Sequence, residues 1–332
     1  MTRRCNNACG YCRYPYGPRK PLPPKKTLQK EFVRARQLGA AQIELISGEG
    51  LERVNDVRRG LRYMGFRSYV QYLDEVLAQL EETAGQLLPL LNVGILSKTN
   101  LEILRARLCV VQIFLESLDP QVQQGIAHAN APAKDPERRM EMILNCGRLD
   151  IPVATGSMIG IGEDDSSQLR TMEVLSQVCE RYRHIQSFEI QTFWPREDTP
   201  MAQHPPVDDD ELLNVTLMAR DLLPPEVAII VKGQEHPALI GELLDAGVND
   251  LGVISARLNK EDDPRSWQNI LRKAEHACRE RDLFLAPRVT LASVFQDPKY
   301  FPAGYPDRLS RALAEFSTDI PRTEQMGVKP LS

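Results

Sequence analysis

Short apolar runs alternate with amphipathic stretches along most of the chain. The apolar runs predict seven strands, at 42–46, 88–93, 110–115, 153–159, 187–191, 227–231 and 250–254. The stretches between them place apolar residues at helical spacing, and they predict helices near 27–38, 72–83, 100–107, 136–148, 166–182, 208–222, 236–246 and 265–281. Strands that alternate with helices of this length are typical of an α/β fold with a parallel sheet and helical crossovers.

A closed barrel of this type has eight strands, one more than the pattern supplies. The absent strand should be the first one, which would lead into the loop that carries the cysteines. Only residues 1–4 precede the first cysteine, and four residues are too few for a strand. Either the chain lacks its opening strand or its true start lies upstream of Met1. We therefore predict an incomplete barrel beginning after Cys12, with the segment from Met1 to about Arg19 poorly held. A strand at 284–291 would be the alternative that completes the barrel.

The length of 332 residues exceeds the usual size of one domain, but α/β barrels reach this length as a single unit. No linker divides the sequence. We predict one domain over 1–332, comprising a cysteine loop at 5–12, a barrel at about 27–281 and a C-terminal tail at 282–332.

Composition narrows the possible partners. The formal net charge of -4 argues against a general nucleic-acid binder. No apolar run has the length of a membrane span and no signal peptide begins the chain, so we expect no membrane partner and a cytoplasmic location. The seven cysteines are an odd number, and three of them lie too close together for a disulfide framework, which fits a reducing compartment.

Positive charge is concentrated near the N-terminus, in a basic collar between Arg3 and Arg36 that contains Glu31 as its single acid. A solvated polar face explains such a collar without any function. The collar would also suit docking of a small acidic electron donor such as a flavodoxin or ferredoxin. Its ten basic residues are Arg3, Arg4, Arg13, Arg19, Lys20, Lys25, Lys26, Lys30, Arg34 and Arg36.

Three cysteines, Cys5, Cys9 and Cys12, form a C-x3-C-x2-C motif. Three thiolates on one short loop can each hold one iron of a 4Fe-4S cluster and leave the fourth iron open for chemistry. A closed zinc site is the alternative, but it needs four ligands, and the next cysteine and histidine along the chain are Cys109 and His128. The spacing therefore favours the cluster, and the four other cysteines are interpreted as buried apolar residues.

Polar residues and glycines follow several predicted strands directly. Glu49, Glu116 and the segment 160–163 each come just after a strand, and Gln191 ends its own strand. Taken singly, a strand-end carboxylate or a turn glycine explains each of them. Because the carboxyl ends of barrel strands share one face, which is the catalytic face of such barrels, the four together predict a site.

The cysteine motif, with Tyr11 before its last cysteine, resembles the signature of the radical S-adenosylmethionine (SAM) superfamily. The segment 47–49 resembles the superfamily's Gly-Gly-Glu segment for the methionine amino group, and 156–163 resembles its second SAM segment. The resemblance implies a radical SAM (β/α) TIM-type barrel in which SAM chelates the open iron of a 4Fe-4S cluster and yields a 5'-deoxyadenosyl radical. It assigns cluster binding to Cys5, Cys9 and Cys12, and cofactor binding to Tyr11, Ser47, Gly48, Glu49, Glu116, Gly160, Gly162, Glu163 and Gln191.

A closer resemblance covers most of the chain from Cys5 to about Ser255. The segments 114–117, 155–163, 184–186, 191–195, 199–201 and 245–250 are similar to the CofG-type subunit of 7,8-didemethyl-8-hydroxy-5-deazariboflavin synthase. The family makes a deazaflavin chromophore from tyrosine and 5-amino-6-(ribitylamino)uracil. The resemblance implies a lyase that receives the adduct of these two compounds from a partner radical SAM subunit and closes the ring with loss of ammonia.

Loss of an amine and ring closure need proton transfers, so the resemblance implies a general acid or base beside the radical. The candidates are Tyr69, His184, Glu189 and Asp250. The segments 231–236 and 251–256 depart from the family's usual sequence, which leaves the exact substrate open. Two alternatives are a radical SAM enzyme of another pathway, similar to biotin synthase or the menaquinone-pathway cyclase, and a non-catalytic iron-sulfur or zinc protein on a barrel scaffold.

Overall fold

A computed structural model describes residues 1–16, 21–255 and 263–291, together with residues 296, 300, 307, 309 and 310. Its centre is a six-stranded parallel sheet in which every strand pairs with the next one in sequence. The strands are β1 (Gln42–Ile46), β2 (Leu88–Asn92), β3 (Val110–Gln112), β4 (Val153–Ile159), β5 (Ile185–Thr192) and β6 (Ala228–Ile230). This is the strand order of a (β/α) barrel, and over the described residues the barrel is not closed.

Helices connect the strands as the sequence predicts. They are α1 (Lys25–Gln37), α2 (Asn55–Tyr63), α3 (Tyr69–Ala84), α4 (Lys98–Leu104), α5 (Pro120–Gln124), α6 (Pro136–Arg148), α7 (Asp165–Tyr182), α8 (Asp209–Leu222), α9 (Ile240–Asp245) and α10 (Trp267–Arg279). The sequence pattern missed α2, because this arginine-rich helix buries only Val57 and Leu61. Helix α9 begins at Ile240, four residues later than predicted, and ends at Asp245.

The predicted strand at 250–254 is wrong. The segment makes one isolated bridge, between Asp250 and Ile230, and the Leu251 carbonyl accepts from the N–H of Gly233 at 3.1 Å, but no regular strand follows. Gly252 has a φ of 67°, and its N–H donates to Asp250 Oδ1 at 2.8 Å, so the chain turns where the pattern predicted extension. The predicted β3 strand also ends early, at Gln112.

The prediction that the N-terminal segment is poorly held is wrong for residues 1–16. Thr2 forms a parallel bridge with Ser47, and the N–H of Gly48 donates to the Thr2 carbonyl at 3.0 Å. The terminal amino group of Met1 donates to the Ile46 carbonyl at 2.5 Å. The segment therefore lies along the outer edge of β1 and satisfies backbone groups that an edge strand leaves unpaired. Residues 17–20 lie outside the described part of the chain.

The two faces of the sheet differ in character. The outer face carries buried apolar side chains such as Leu91, Val111 and Phe188, which belong to the core formed with the helices. The register of the sheet places Glu44, Asn92, Gln112, Glu189 and Gln191 on the opposite, inner face. Side chains of a strand alternate between faces, so this polar inner face is what an open barrel offers to a ligand.

The stretch 284–291 does not form a strand, which removes it as the source of the eighth one. It covers the amino-terminal end of the inner face instead, where Val289 and Leu291 join a buried cluster with Leu88 and Val110. Most of the tail at 282–332 lies outside the described residues. None of the described helices combines the length and apolar character that a membrane crossing requires.

Candidate active site

The cysteine loop is fixed at the carboxyl end of β1 by backbone hydrogen bonds. Asn6 donates to the Glu49 carbonyl at 2.8 Å, Ala8 to Asn130 at 2.7 Å and Gly10 to Ala127 at 2.9 Å. The loop therefore joins the residues after β1 to the segment that follows α5. This places the three cysteines at the carboxyl edge of the sheet, where the sequence predicts the site.

All three thiols of the loop are free. The Cys5 sulfur accepts from the N–H groups of Glu49 at 3.2 Å and Asn7 at 3.4 Å, and the Cys12 sulfur accepts from the N–H of Tyr14 at 3.4 Å. Amide donors of this kind stabilise negative charge on sulfur. The donor set therefore fits thiolate ligands of an iron-sulfur cluster.

Burial opposes ionisation of these thiols when they are free. It raises the pKa of Cys5 and Cys12 and raises that of Cys9 to about 12. The positive charge of Lys134 lowers the pKa of all three thiols. The thiols thus lie in a buried environment in which the charge of Lys134 favours the thiolates and that of Glu49 opposes them.

Three cysteines on one loop could ligate either one metal ion or three separate irons. Across the described residues, no three His, Cys, Asp or Glu side chains are grouped so that one ion can be held. A zinc ion requires its ligands to converge on one point, whereas the three thiolates of a cluster ligate three separate irons. The cluster stays the favoured prediction, because a closed zinc site would need a fourth ligand that the loop does not contain.

Gly48 allows the cysteine loop to approach β1. A Cβ at this position would collide with the carbonyl of Arg4 and lie 2.7 Å from the Cβ of Cys5. We expect Gly48→Ala to push the loop away and to lower the iron retained after anaerobic reconstitution severalfold. Gly60→Ala is the matched control, because a Cβ there meets nothing within 4 Å. Equal iron content in the two variants would contradict this account of Gly48.

A buried charge network lies beneath the loop and is centred on Glu49. Arg139 Nη2 is 2.6 Å from both oxygens of Glu49, and Lys134 Nζ lies 3.4 Å from Glu49 Oε1 and also pairs with Glu116. Burial alone would raise the pKa of Glu49, but the two cations outweigh it and lower that pKa to about 2. Glu49 is therefore a carboxylate at every ordinary pH.

Arg139 is the most deeply buried member of this network, with a side chain 1% exposed. Besides Glu49, it donates through Nε to the Ala133 carbonyl at 3.0 Å and through Nη1 to the carbonyl of Phe114. It thereby connects the end of β1, the end of β3 and the loop before α6. Asn7 of the cysteine loop joins the same network through its amide, which donates to Glu49 Oε2 at 3.1 Å.

Glu116 has a strained backbone and an unused oxygen. Its φ is 68°, its residue is 3% exposed, and its Oε2 is buried without a hydrogen-bond partner in the described part of the chain. A non-glycine residue in this conformation costs free energy, and such strain concentrates at functional sites. Glu116 is therefore a candidate for contact with a ligand.

The segment 160–163 folds back on itself. The Glu163 carboxylate accepts from the N–H groups of Gly160 at 2.7 Å and Ile161 at 2.9 Å. Gly160 and Gly162 have φ values of 80° and 106°, and a Cβ at Gly162 would meet nothing within 4 Å. Glu163 thus shapes the loop, while Gly162 leaves its backbone open to close approach.

Tyr11 and Ser47 flank the cysteine loop. The Tyr11 hydroxyl lies 3.0 Å from His128 Nε2, and the Ser47 hydroxyl donates to the Gly48 carbonyl at 2.9 Å. Tyr69, from α3, donates its hydroxyl to Ser47 Oγ at 2.8 Å. Tyr69 lies in the core, where burial raises its pKa, and its hydrogen bond fixes the position of the Ser47 hydroxyl.

The other three acid or base candidates are divided between two places. His184 precedes β5 in the core, with Nε2 2.8 Å from the Ile143 carbonyl, and burial lowers its pKa to about 4. Glu189 and Asp250 lie on the inner face instead, where Glu189 pairs with Lys232 at 2.8 Å and Asp250 pairs with Arg288. The structure therefore brings two of the four candidates to the inner face and keeps Tyr69 and His184 away from it.

The sequence reasoning missed the cations of the site, Lys134, Arg139 and Lys232. A signal was present for Arg139, since it shares a helical face with Met142, Ile143 and Cys146, which are all buried. A basic residue on the apolar face of a helix requires a buried partner. No comparable pattern marks Lys134 or Lys232.

Sequence comparison with known proteins shows the family of this chain. A family model described as the radical SAM superfamily matches residues 1–175. The 7,8-didemethyl-8-hydroxy-5-deazariboflavin synthase of Methanococcoides burtonii is 34% identical over 260 residues, covering 77% of this chain and 76% of the relative. The enzyme of the same name from Archaeoglobus fulgidus is 32% identical over 305 residues, covering 91% of this chain and 90% of the relative.

Solved structures agree on the fold. The hydrogenase maturase HydG superposes with a TM-score of 0.67 at 14% identity, covering 97% of this chain and 77% of HydG. Methylornithine synthase, PylB, superposes with a TM-score of 0.60 at 17% identity, covering 86% of this chain and 81% of that protein. At these identities the likeness concerns the fold alone. From the family model and the deazaflavin relatives, the chain belongs to the radical SAM superfamily and, within it, to the 7,8-didemethyl-8-hydroxy-5-deazariboflavin synthase family.

Proposed function

We propose that this chain is the lyase of deazaflavin biosynthesis that closes the ring of an adduct of tyrosine and 5-amino-6-(ribitylamino)uracil, with loss of ammonia. A partner radical SAM subunit would supply the adduct. The observation that carries the proposal is the position of three free thiols at the carboxyl edge of a sheet with a polar inner face. The name shared by the relatives supports the choice of pathway.

The cluster ligands in this proposal are Cys5, Cys9 and Cys12. A 4Fe-4S cluster held by these residues, together with SAM, would supply a 5'-deoxyadenosyl radical for hydrogen abstraction. The chain contributes the N–H groups that point at Cys5 and Cys12 and the loop contacts that exclude water from Cys9. Its remaining task is to bind and orient SAM and the substrate.

The SAM site in this proposal surrounds the charge network. Glu49, held as a carboxylate, would attract the SAM ammonium group, with Ser47 and Gly48 presenting the adjacent backbone. Oε2 of Glu116, which has no hydrogen-bond partner within the described residues, would accept a hydrogen bond from a hydroxyl group of SAM. The open backbone at Gly162 would allow close approach of the adenosine part of SAM. Tyr11, on the cysteine loop, and Gln191, on β5, would also contact SAM. Gly160 and Glu163 would maintain the conformation of the loop at 160–163.

The electron donor in this proposal is a small acidic protein such as a flavodoxin or ferredoxin. The basic collar continues on α2, where Arg58, Arg59 and Arg62 are exposed and line a shallow hollow of about 330 Å³. Asp56 at the start of this helix pairs with Arg4, next to Cys5, at 2.6 Å. Six residues of helix rise by about 9 Å, so the arginine face lies within a short distance of the loop.

We expect the triple variant Arg58→Glu, Arg59→Glu, Arg62→Glu to slow reduction by flavodoxin at low salt by about tenfold or more, because steering depends on opposite charge. The second-order rate constant and its salt dependence are measured by stopped flow. Activity driven by dithionite should stay at the wild-type level. The matched control reverses Arg170, Arg181 and Arg279, which are exposed on other helices. Equal slowing in the two triple variants would rule out a docking role for α2.

The proposed function is tested by anaerobic reconstitution with iron and sulfide. With SAM and dithionite, we expect 5'-deoxyadenosine, and with the adduct-forming partner subunit, tyrosine and 5-amino-6-(ribitylamino)uracil, we expect the fluorescent deazaflavin. Formation of 5'-deoxyadenosine without deazaflavin would place the chain in another radical SAM pathway. Absence of both products from a preparation that contains the cluster would overturn the proposal.

A further inference from the structure

A chain of three side chains connects α5 to the cysteine loop. Gln123 Nε2, on α5, lies 3.2 Å from His128 Nδ1, and His128 Nε2 lies 3.0 Å from the Tyr11 hydroxyl. Ala127 and Asn130, on either side of His128, accept from backbone N–H groups of the cysteine loop at 2.9 and 2.7 Å. The imidazole of His128 is therefore held against the loop in a fixed position.

The direction of these hydrogen bonds follows from the Gln123 amide. Its Nε2 also donates to the carbonyl of Ser117 at 3.4 Å, and a carbonyl can only accept, so the amide presents its NH2 group to both neighbours. The Nδ1 atom of His128 therefore accepts and carries no hydrogen. Because a neutral imidazole has one N–H group, His128 carries its hydrogen on Nε2 and donates it to the Tyr11 oxygen.

The surroundings of His128 keep its ring neutral. The residue is 3% exposed, and burial lowers its pKa to about 4. The cations Lys134 and Arg139 lower this pKa further, whereas Glu116 and Glu49 raise it. A second hydrogen on the ring would also point at the NH2 group that Nδ1 already faces. His128 is therefore a neutral donor with a fixed direction.

The Tyr11 hydroxyl accepts from His128 and so keeps its own hydrogen for another acceptor. Among the residues that the structure describes, His128 is the one hydrogen-bond partner of this oxygen. The Tyr11 ring packs against the buried cluster that contains Ile161, of the loop at 160–163. Burial raises the pKa of Tyr11, and Glu116 is the charge that raises it most. The hydroxyl therefore lies between the cysteine loop and the loop at 160–163, within the influence of Glu116.

A donor and an acceptor are thus both available in this part of the site. The donor is the Tyr11 O–H, and the acceptor is Glu116 Oε2, which is buried without a partner within the described ranges. Polar groups that are removed from water are normally paired, so the two indicate a ligand. A hydroxyl group of the ligand would satisfy both, because it can accept from Tyr11 and donate to Glu116.

We propose that Gln123 and His128 are positioning residues that fix the Tyr11 hydroxyl, so that it donates its hydrogen to a hydroxyl group of SAM. Without His128 the O–H could rotate, and binding would have to fix its direction first, which lowers affinity. The inference rests on the SAM site of the proposed function and does not depend on the identity of the substrate.

The test measures SAM binding by anaerobic calorimetry, with the reconstituted protein and no reductant. Tyr11→Phe should weaken binding about fivefold, the scale of one neutral hydrogen bond, and His128→Leu should weaken it to a similar extent. The double variant should bind no more weakly than Tyr11→Phe alone, because His128 acts through the hydroxyl. His128→Gln should bind like wild type, since its amide can donate to Tyr11 in place of Nε2.

Tyr72→Phe is the matched control for Tyr11→Phe. Tyr72 is also buried, and its hydroxyl donates to the Pro23 carbonyl at 2.8 Å, outside the cysteine loop. This variant should bind SAM like wild type, and iron content is measured for all variants. Additive losses in the double variant, an equal loss in Tyr72→Phe, or a loss of iron in Tyr11→Phe would overturn the proposal.

A second measurement is independent of SAM. Nitrogen NMR of the protein without its cluster, with isotope-labelled histidine, should show His128 protonated on Nε2 alone, its signal being assigned by its absence from His128→Gln. Protonation on Nδ1 at neutral pH would overturn the proposal. Wild type that holds its cluster and does not bind SAM would overturn the SAM site together with this inference. Equal SAM affinity in wild type and Tyr11→Phe would overturn this inference and leave the proposed function intact.

Discussion

Replacing Cys5, Cys9 or Cys12 by alanine is expected to abolish formation of 5'-deoxyadenosine. Each thiolate would ligate a different iron, so the loss of one ligand also loses the geometry that leaves a single iron open. Iron and sulfide content, the cluster absorption in the visible range, and 5'-deoxyadenosine after anaerobic reconstitution are the measurements. Each single variant should lose the cluster absorption together with the activity.

Cys179→Ala is the matched control for these three variants. Cys179 is also a free, buried cysteine, but it lies on α7 in the apolar core, and burial raises its pKa to about 12. Its replacement should leave the cluster content unchanged. The assignment of the three ligands is refuted by full activity in all three loop variants, or by an equal loss in Cys179→Ala.

The largest effect on stability is expected from Arg139→Leu. This change leaves the Glu49 carboxylate buried with fewer partners and leaves the carbonyls of Ala133 and Phe114 without a donor. Removing one partner of a buried ion pair typically costs about 3–5 kcal/mol. The free energy of unfolding, measured by urea denaturation of the protein without its cluster, should fall by about this amount.

Two further variants decide whether burial is the cause. The double variant Arg139→Leu, Glu49→Leu should recover part of the lost stability, because no unpaired charge remains. Arg281 binds both oxygens of Asp245 at 2.7 and 2.6 Å on the surface. Arg281→Leu should unfold at nearly the wild-type urea concentration. A double variant less stable than Arg139→Leu alone, or an Arg281→Leu variant destabilised as strongly, would contradict this explanation.

The local pattern of apolar and polar residues was sufficient to predict most of the strands and helices. The predicted bounds of β1, α6 and β4 agree with the structure, because each of these elements carries a regular apolar period with clear ends. The predicted strand at 250–254 failed at Gly252, where a side chain to backbone hydrogen bond stabilises a turn. A window of apolar residues contains no information on such a bond.

The amino-acid sequence was sufficient for the cysteine motif, the order of strands and helices and the family, and it predicted a barrel that is not closed over the described residues. These properties depend on residues close together in the chain or on motifs of fixed spacing. The three-dimensional fold was needed to show that Arg139 and Lys134 contact Glu49, that Lys232 pairs with Glu189, and that Thr2 extends the edge of β1. Partners separated by tens of residues meet only because parallel strands bring their carboxyl ends to one edge, and the resulting burial and pairing have no local signature in the sequence.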